Sequence, residues 1–100
     1  MLMTTTDLKV EYEVLGIVKA NRVKAAHIGR DIMAGLKNLV GGEVKQYADL
    51  LTGVRDAALD EMIEEAKQKG ANAIIGIRFT SSQLASGMAE ILVYGTAVKI

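Results

Sequence analysis

The chain has no cysteine, no proline and no tryptophan, and its aromatic content is three tyrosines and one phenylalanine in 100 residues. Without cysteine there is neither a disulfide framework nor a thiolate metal site. With four aromatics the core must be built from Val, Ile, Leu, Met and Ala. It offers few faces on which bases or sugars could stack. There is also no surplus of charge: 12 Lys and Arg balance 12 Asp and Glu, for a formal net charge of zero. A neutral chain has no bulk attraction for nucleic acid or for an anionic membrane, so neither is expected as a partner. The apolar runs are short and broken by charge, well under the roughly 20 residues that span a bilayer. The opening segment, MLMTTTDLKVEYEV, lacks a basic region leading into an apolar one. It is not read as a signal peptide, and a reducing cytoplasm is the expected compartment.

What is present is hydrophobicity: half of all residues. One hundred residues make one domain, residues 1–100, which buries about two-thirds of its unfolded surface. Residues Glu13 to Ala26 read as extended, with Val14, Leu15, Ile17 and Val18 clustered and Asn21 as a bend or bulge. Upstream, MLMTTT has no helical period and suits a short edge strand. From His27 the period lengthens. Ile28, Ile32, Leu36 and Val40 recur every four residues, which predicts a helix ended by Gly41 and Gly42. A second helix is expected from Glu43 or Gln46 to Lys69. Its stripe is Tyr47, Leu51, Val54, Ala58, Met62 and Ala66, with Gly70 as the stop. Glu65 and Lys69 stand i,i+4 in the favourable acid-first order. ANAIIGIRFTSS and GMAEILVYGTAVKI then read as an antiparallel pair joined by the turn-rich SSQLASG. The fold class is α+β: a small antiparallel sheet with two helices in β-α-α-β-β order.

The last two strands carry too much oil for one wet face. In the final strand Met88, Leu92, Tyr94, Val98 and Ile100 share one side, and Ala89, Ile91, Val93 and Ala97 share the other. In the strand before it, Ala73, Ile75, Ile77 and Phe79 alternate onto one face. A half-solvated antiparallel strand would alternate apolar with polar. Two helices cover one face, and short loops with the N-terminal segment are a thin cover for the second. A second copy of the chain is the economical one, so self-association is expected.

The run GRDIMAGLKNLVGGE followed by Tyr47, then GANAIIGIRF from Gly70 to Phe79, YGTAV from Tyr94 to Val98, and the Thr4–Thr6 triplet together resemble the YbjQ-like family of small bacterial and archaeal proteins. The resemblance spans nearly the whole chain. It implies a dodecin-subunit-like fold assembled as a pentameric ring, and it brings a heavy-metal-binding label without catalytic residues.

Candidate sites are few. His27 and Asp31 stand i,i+4 and would share a helix face, a spacing that puts two ligands on one metal. Asn38 lies along the same side, and Glu43 is within reach from the turn. A divalent metal is therefore the possible cofactor, with His27 and Asp31 as its first ligands. Soft heavy metals prefer thiolate and imidazole, of which this chain has none and one. The competing reading is a histidine hydrogen-bonded to a carboxylate one turn on. Arg30, Asp31, Lys37 and Glu43 surround the helix end, as an inter-subunit ion-pair network, a pocket for a small anion, or a solvated helix face. The five methionines are scattered and read as core filler. Gly41–Gly42 lacks the Lys and Ser/Thr of a phosphate loop. Ser81, Ser82 and Ser86 have no sequence-evident base, so a nucleophilic hydrolase is not expected. The sequence points to a non-enzymatic oligomeric module that binds a small ligand or ion at a subunit interface or ring axis. A divalent or heavy-metal-binding protein is the alternative, and an enzyme with a site shared between subunits the third reading.

Overall fold

A computed structural model describes residues 1–24, 42–85 and 88–100, without the side chains at 24, 42–48, 50, 83–85, 88 and 89. Helix α1 (Gly42–Gln68) forms where the four-residue apolar stripe is longest. Val54, Ala58, Met62 and Ala66 are buried along it, and Leu59 and Ile63 pack beside them. It ends in a paired-bond cap: Ala71 N–H donates to Ala66 O and Gly70 N–H to Lys67 O. Gly70 sits at φ +83°, which a side chain would strain, so the stop expected at this glycine has a conformational cause. Gly42 opens α1, and the helix expected before it lies outside the described residues.

The four strands are β1 (Leu2–Met3), β2 (Glu13–Lys24), β3 (Ala73–Ala85) and β4 (Met88–Lys99). They lie in one sheet in the order β1-β3-β4-β2. β4 pairs antiparallel with both β2 and β3. The expectation of a wholly antiparallel sheet is corrected at one edge, where β1 runs parallel to β3, Leu2 beside Ala73 and Met3 beside Ile74. β2 sits across the sheet beside β4, and residues 4–12 make the journey between the two edges. The expected β-α-α-β-β order is corrected to β-β-α-β-β among the described residues. One helix is seen among them, and the helix expected over residues 27–40 lies outside them.

Three register shifts interrupt the pairing, one of them near the end of β3 between Gln83 and Ala85, and the other two decide which core side chains share a face. Pairing of β3 with β4 slips between Ile75 and Arg78, where Gly76 takes φ +62°. The slip reverses the alternation. Ile74 and Ile77 therefore both face α1, while Ala73 and Ile75 face the other way. The expectation that Ala73, Ile75, Ile77 and Phe79 share a face is thus wrong, because period-two counting fails across a bulge. The second slip falls between Val14 and Gly16 (φ +127°), not at Asn21, which pairs regularly with Leu92. The turn-rich reading of SSQLASG also yields. Ser81, Ser82 and Gln83 pair with Ile91, Glu90 and Ala89, and the strand runs on to Ala85. A committed partner strand outweighs weak turn propensity.

The core lies between α1 and one sheet face: Val18, Ala20, Ile74, Ile77, Val93 and Ala97 against Ala58, Met62 and Ala66. Each large side chain fully buried there is worth about 1.5–3 kcal/mol. A second, smaller cluster sits on the opposite face. Leu8 and Tyr12 fold over Ala73, Ile75 and Val98, so the N-terminal segment covers one end of that face.

Candidate functional site: the outer face of the sheet

Among the described residues, Leu8 and Tyr12 are the apolar side chains packed over the outer face. Val18 and Ala20 point into the core, so the intervening positions of β2 point outward. Cross-strand pairing then lays out rows. Ile17 stands beside Thr96; Lys19 beside Tyr94 and, on the other side of Tyr94, Arg78; Asn21 beside Leu92 and Thr80; Val23 beside Glu90. Ile17 is 72 % exposed, Val14 62 %, Val23 45 % and Tyr94 41 %. Four apolar side chains open to solvent on one sheet face form a surface that a lone domain does not ordinarily leave uncovered.

Lys19 and Arg78 stand either side of Tyr94 in the pairing but do not converge on it: Lys19 lines the groove beside α1, and the bonds of Arg78 hold it on the β1 side of β3. Arg78 Nη1 donates to Thr5 O (2.9 Å) and to Ile77 O (2.8 Å). The guanidinium is thus held by two main-chain carbonyls, with Nη2 and Nε remaining to donate. Neither Arg78 nor Lys19 makes an ion pair with a described residue; the pairs there are Arg22–Glu61 (3.6 Å) and Lys67–Glu64 (3.5 Å).

The loop that holds Arg78 is itself knotted by a carboxylate. Asp7 Oδ1 accepts from Tyr12 O–H and from Leu8 N–H. The Tyr12 bond, then the Leu8 bond, hold the Asp7 carboxyl below its usual range. The same partnership raises Tyr12, chiefly because ionising the phenol would break the bond to Asp7.

A groove of about 510 Å³ opens between β2 and the C-terminal half of α1, lined in part by Glu61, Glu64 and Glu65. It resembles a cation site until its partners are counted. Glu61 pairs with Arg22, Glu64 with Lys67, and Glu65 Oε2 accepts from Lys19 N–H at 3.2 Å. Glu65, expected to face Lys69 along the helix, thus caps an edge-strand amide. The groove is a seam of satisfied charges.

Among the described residues no group of three or more His, Cys, Asp or Glu is arranged to hold a metal ion, and no helix is long and apolar enough to cross a membrane. His27, Arg30, Asp31, Lys37 and Asn38 lie outside the described residues, and Glu43 enters them only as backbone in the first turn of α1. Strand counting alone does not say which face the helix takes, so the outer-face residues do not stand out as a site in the sequence. The signal is the exposed apolar set on β2 and β4, and finding it requires the strand pairing.

Comparison with known proteins agrees across the whole length. The family model described as "Putative heavy-metal-binding" (YbjQ) matches residues 1–100. A UPF0145 protein of Helicobacter hepaticus is 61 % identical over 99 residues, covering 99 % of this chain and 96 % of that protein. One of Vibrio parahaemolyticus is 53 % identical over 103 residues, covering 100 % and 98 %. A crystal structure of a protein of unknown function from Pediococcus pentosaceus, placed in the DUF74 family, superposes with a TM-score of 0.76 at 18 % identity, covering 100 % of this chain and 97 % of that one. At that identity the likeness speaks for the fold. With a full-length family match and relatives above half identical, the chain belongs to the YbjQ-like, or UPF0145, family.

Proposed function

We propose that the protein is a non-enzymatic homo-oligomeric module, a pentameric ring, that binds a small ligand or ion at a subunit interface or the ring axis. The observation that carries this reading is the exposed row of Val14, Ile17, Val23 and Tyr94 on the outer sheet face. Taking four roughly half-exposed side chains out of water contributes roughly 1 kcal/mol each, about 4 kcal/mol in all. That is at the foot of the roughly 4–15 kcal/mol that association costs in lost freedom of motion, so a lone pairwise contact through this patch would be weak. A closed ring, the assembly the family resemblance implies, would bury the patch once per subunit against a different surface of its neighbour. Native mass spectrometry of untagged protein reads the subunit number and any retained ligand together. A pentamer holding a small ligand supports the reading, and a ligand-free monomer removes it.

The family description favours a second reading, a divalent or heavy-metal site with His27 and Asp31 as first ligands. A ring multiplies each residue around its axis, so two ligands per chain are enough to build a closed site only in the assembly. Metal titration of the wild type against His27→Ala decides it: tenfold weaker binding in the variant supports the site, and equal affinities remove it.

A further inference from the structure

We infer that Val14 and Ile17 of one copy are covered by Leu2 and Ile100 of the next, so that a single sheet carries both halves of the subunit contact at its two edges. The inference rests on the interface reading above and goes further by naming the surface of the neighbour that covers the patch. Cross-strand pairing sets Leu2, Ala73, Val98 and Val14 in one row from edge to edge of the sheet, on β1, β3, β4 and β2. The middle of the row is finished within the chain, because Ala73 and Val98 are fully buried and Leu8 and Tyr12 pack over them. Its two ends are left in solvent. Val14 and Ile17 are the exposed end on β2, and Leu2, 50 % exposed, is the end on β1. Ile100, 51 % exposed, belongs to the Leu2 end of the sheet, since Asn72 binds both residues. Asn72 O accepts from Leu2 N–H (3.3 Å), its Oδ1 accepts from Ile100 N–H (2.8 Å), and its Nδ2 donates to Ile100 O (3.1 Å). Both apolar side chains are therefore held in place while uncovered.

Two different patches at opposite edges of one face are what a head-to-tail assembly needs. An isologous dimer uses one patch twice, whereas a ring uses each of two patches once. Copies set side by side, with this face turned toward the ring axis, bring the Val14 end of one row against the Leu2 end of the next. A second copy accounts for both ends at once, which a different partner seated on either end would not. The surface area agrees with a missing neighbour. The chain exposes 6573 Å². A monomer of 10.7 kDa ordinarily exposes about 5,500 Å². The excess of about 1,000 Å² is comparable with the roughly 800 Å² that each partner buries in a contact of standard size.

Introduced cysteines test the contact, and the chain has none of its own to confuse the result. Leu2→Cys, Val14→Cys and the double variant are oxidised briefly at micromolar concentration and resolved by non-reducing electrophoresis, with sedimentation of each reduced protein alongside. Within one chain the two positions are three strand spacings apart, about 14 Å, too far for a disulfide. The double variant should give a ladder of covalent multimers ending at five chains, while each single variant runs as one chain. Leu2→Glu should shift the assembly toward smaller species with its helical content unchanged. Covalent dimers from Val14→Cys alone would overturn the inference, because the patch would then meet itself. An unaltered assembly in Leu2→Glu would overturn it too. A double variant that sediments as the wild type does but gives no ladder would overturn it while leaving the ring. A ladder that stops at two chains would keep the contact and remove the ring, and a monomeric wild type would remove both.

Discussion

Replacing Gly95 with alanine tests the packing between β4 and β3 most sharply. Gly95 lies in the middle of β4, opposite Val18, in the YGTAV run. A Cβ added there would stand 2.9 Å from Ile74 Cγ2, 3.1 Å from Ile75 O and 3.2 Å from Ile77 Cγ1. None of the three can yield easily. Ile74 is fully buried, Ile75 O belongs to a strand pinned by its pairing with Thr96, and Ile77 is wedged beside the bulge. Overpacking of this kind costs about 1–3 kcal/mol. Alanine also stiffens the unfolded chain, which returns about 0.4–1 kcal/mol. The net expectation is a loss of roughly 1–2 kcal/mol, or roughly 5–15 °C in Tm for a domain of this size. Gly53 is the control, because it is exposed on α1 with nothing within 4 Å of a new Cβ. Gly53→Ala should stabilise by up to about 1 kcal/mol through helix propensity. Urea unfolding at one fixed protein concentration reads both changes without a contribution from mass action. A Gly95→Ala protein as stable as wild type, or more so, would refute the close packing.

Met62→Ala empties the centre of the core, where the side chain is fully buried, and should cost about 2–5 kcal/mol in the same assay; less than about 1 kcal/mol would mean the helix is not seated on the sheet as described. Gly76→Ala forces a side chain into φ +62° at the bulge and should cost about 1–2 kcal/mol, whereas a neutral effect would argue that the register does not slip there. Tyr12→Phe removes the phenol that donates to Asp7, so an NMR titration should find the Asp7 carboxyl raised toward 3.8, and no movement would deny the bond. The lowered Asp7 value also sets a sign: its stabilising contribution holds above its unfolded value and fades as pH falls through the lowered folded one, below about pH 4. Tyr12 is the mirror case, contributing below its ordinary 10.0 and losing that contribution as pH rises through the raised folded value.

The helix and its cap were legible in the sequence because their signals are local. The stripe through Val54, Ala58, Met62 and Ala66 needs no partner to be counted, and the stop at Gly70 needs only a residue that accepts positive φ. The antiparallel pairing of the last two strands was equally plain. The parallel docking of Leu2–Met3 was not, since two residues carry no periodicity and their partner is about 70 positions away. The bulge at Gly76 defeated alternation for the same kind of reason: one inserted residue exchanges the two faces, and only the partner strand reveals it. The excess of apolar surface was visible as a quantity, but its location was not. Val98 and Ile75 turn out to be covered by Leu8 and Tyr12, leaving Val14, Ile17, Val23 and Tyr94 as the uncovered part among the described residues. His27, Arg30, Asp31 and Lys37, the candidates that periodicity and charge bring forward, lie outside the described residues, so the outer-face residues enter from pairing geometry alone.

Sedimentation velocity of the untagged protein at micromolar concentration, run beside Ile17→Lys, bears most directly on the claim that the outer sheet face joins subunits. Among the described residues Ile17 is the most exposed of the large apolar side chains, and a charge placed there would have to be desolvated in any contact across that face. The wild type should sediment as a single species of five chain masses, and Ile17→Lys should shift it toward smaller species while the helical content is retained. A wild type that runs as one compact subunit would contradict the account, as would an unaltered assembly in the variant.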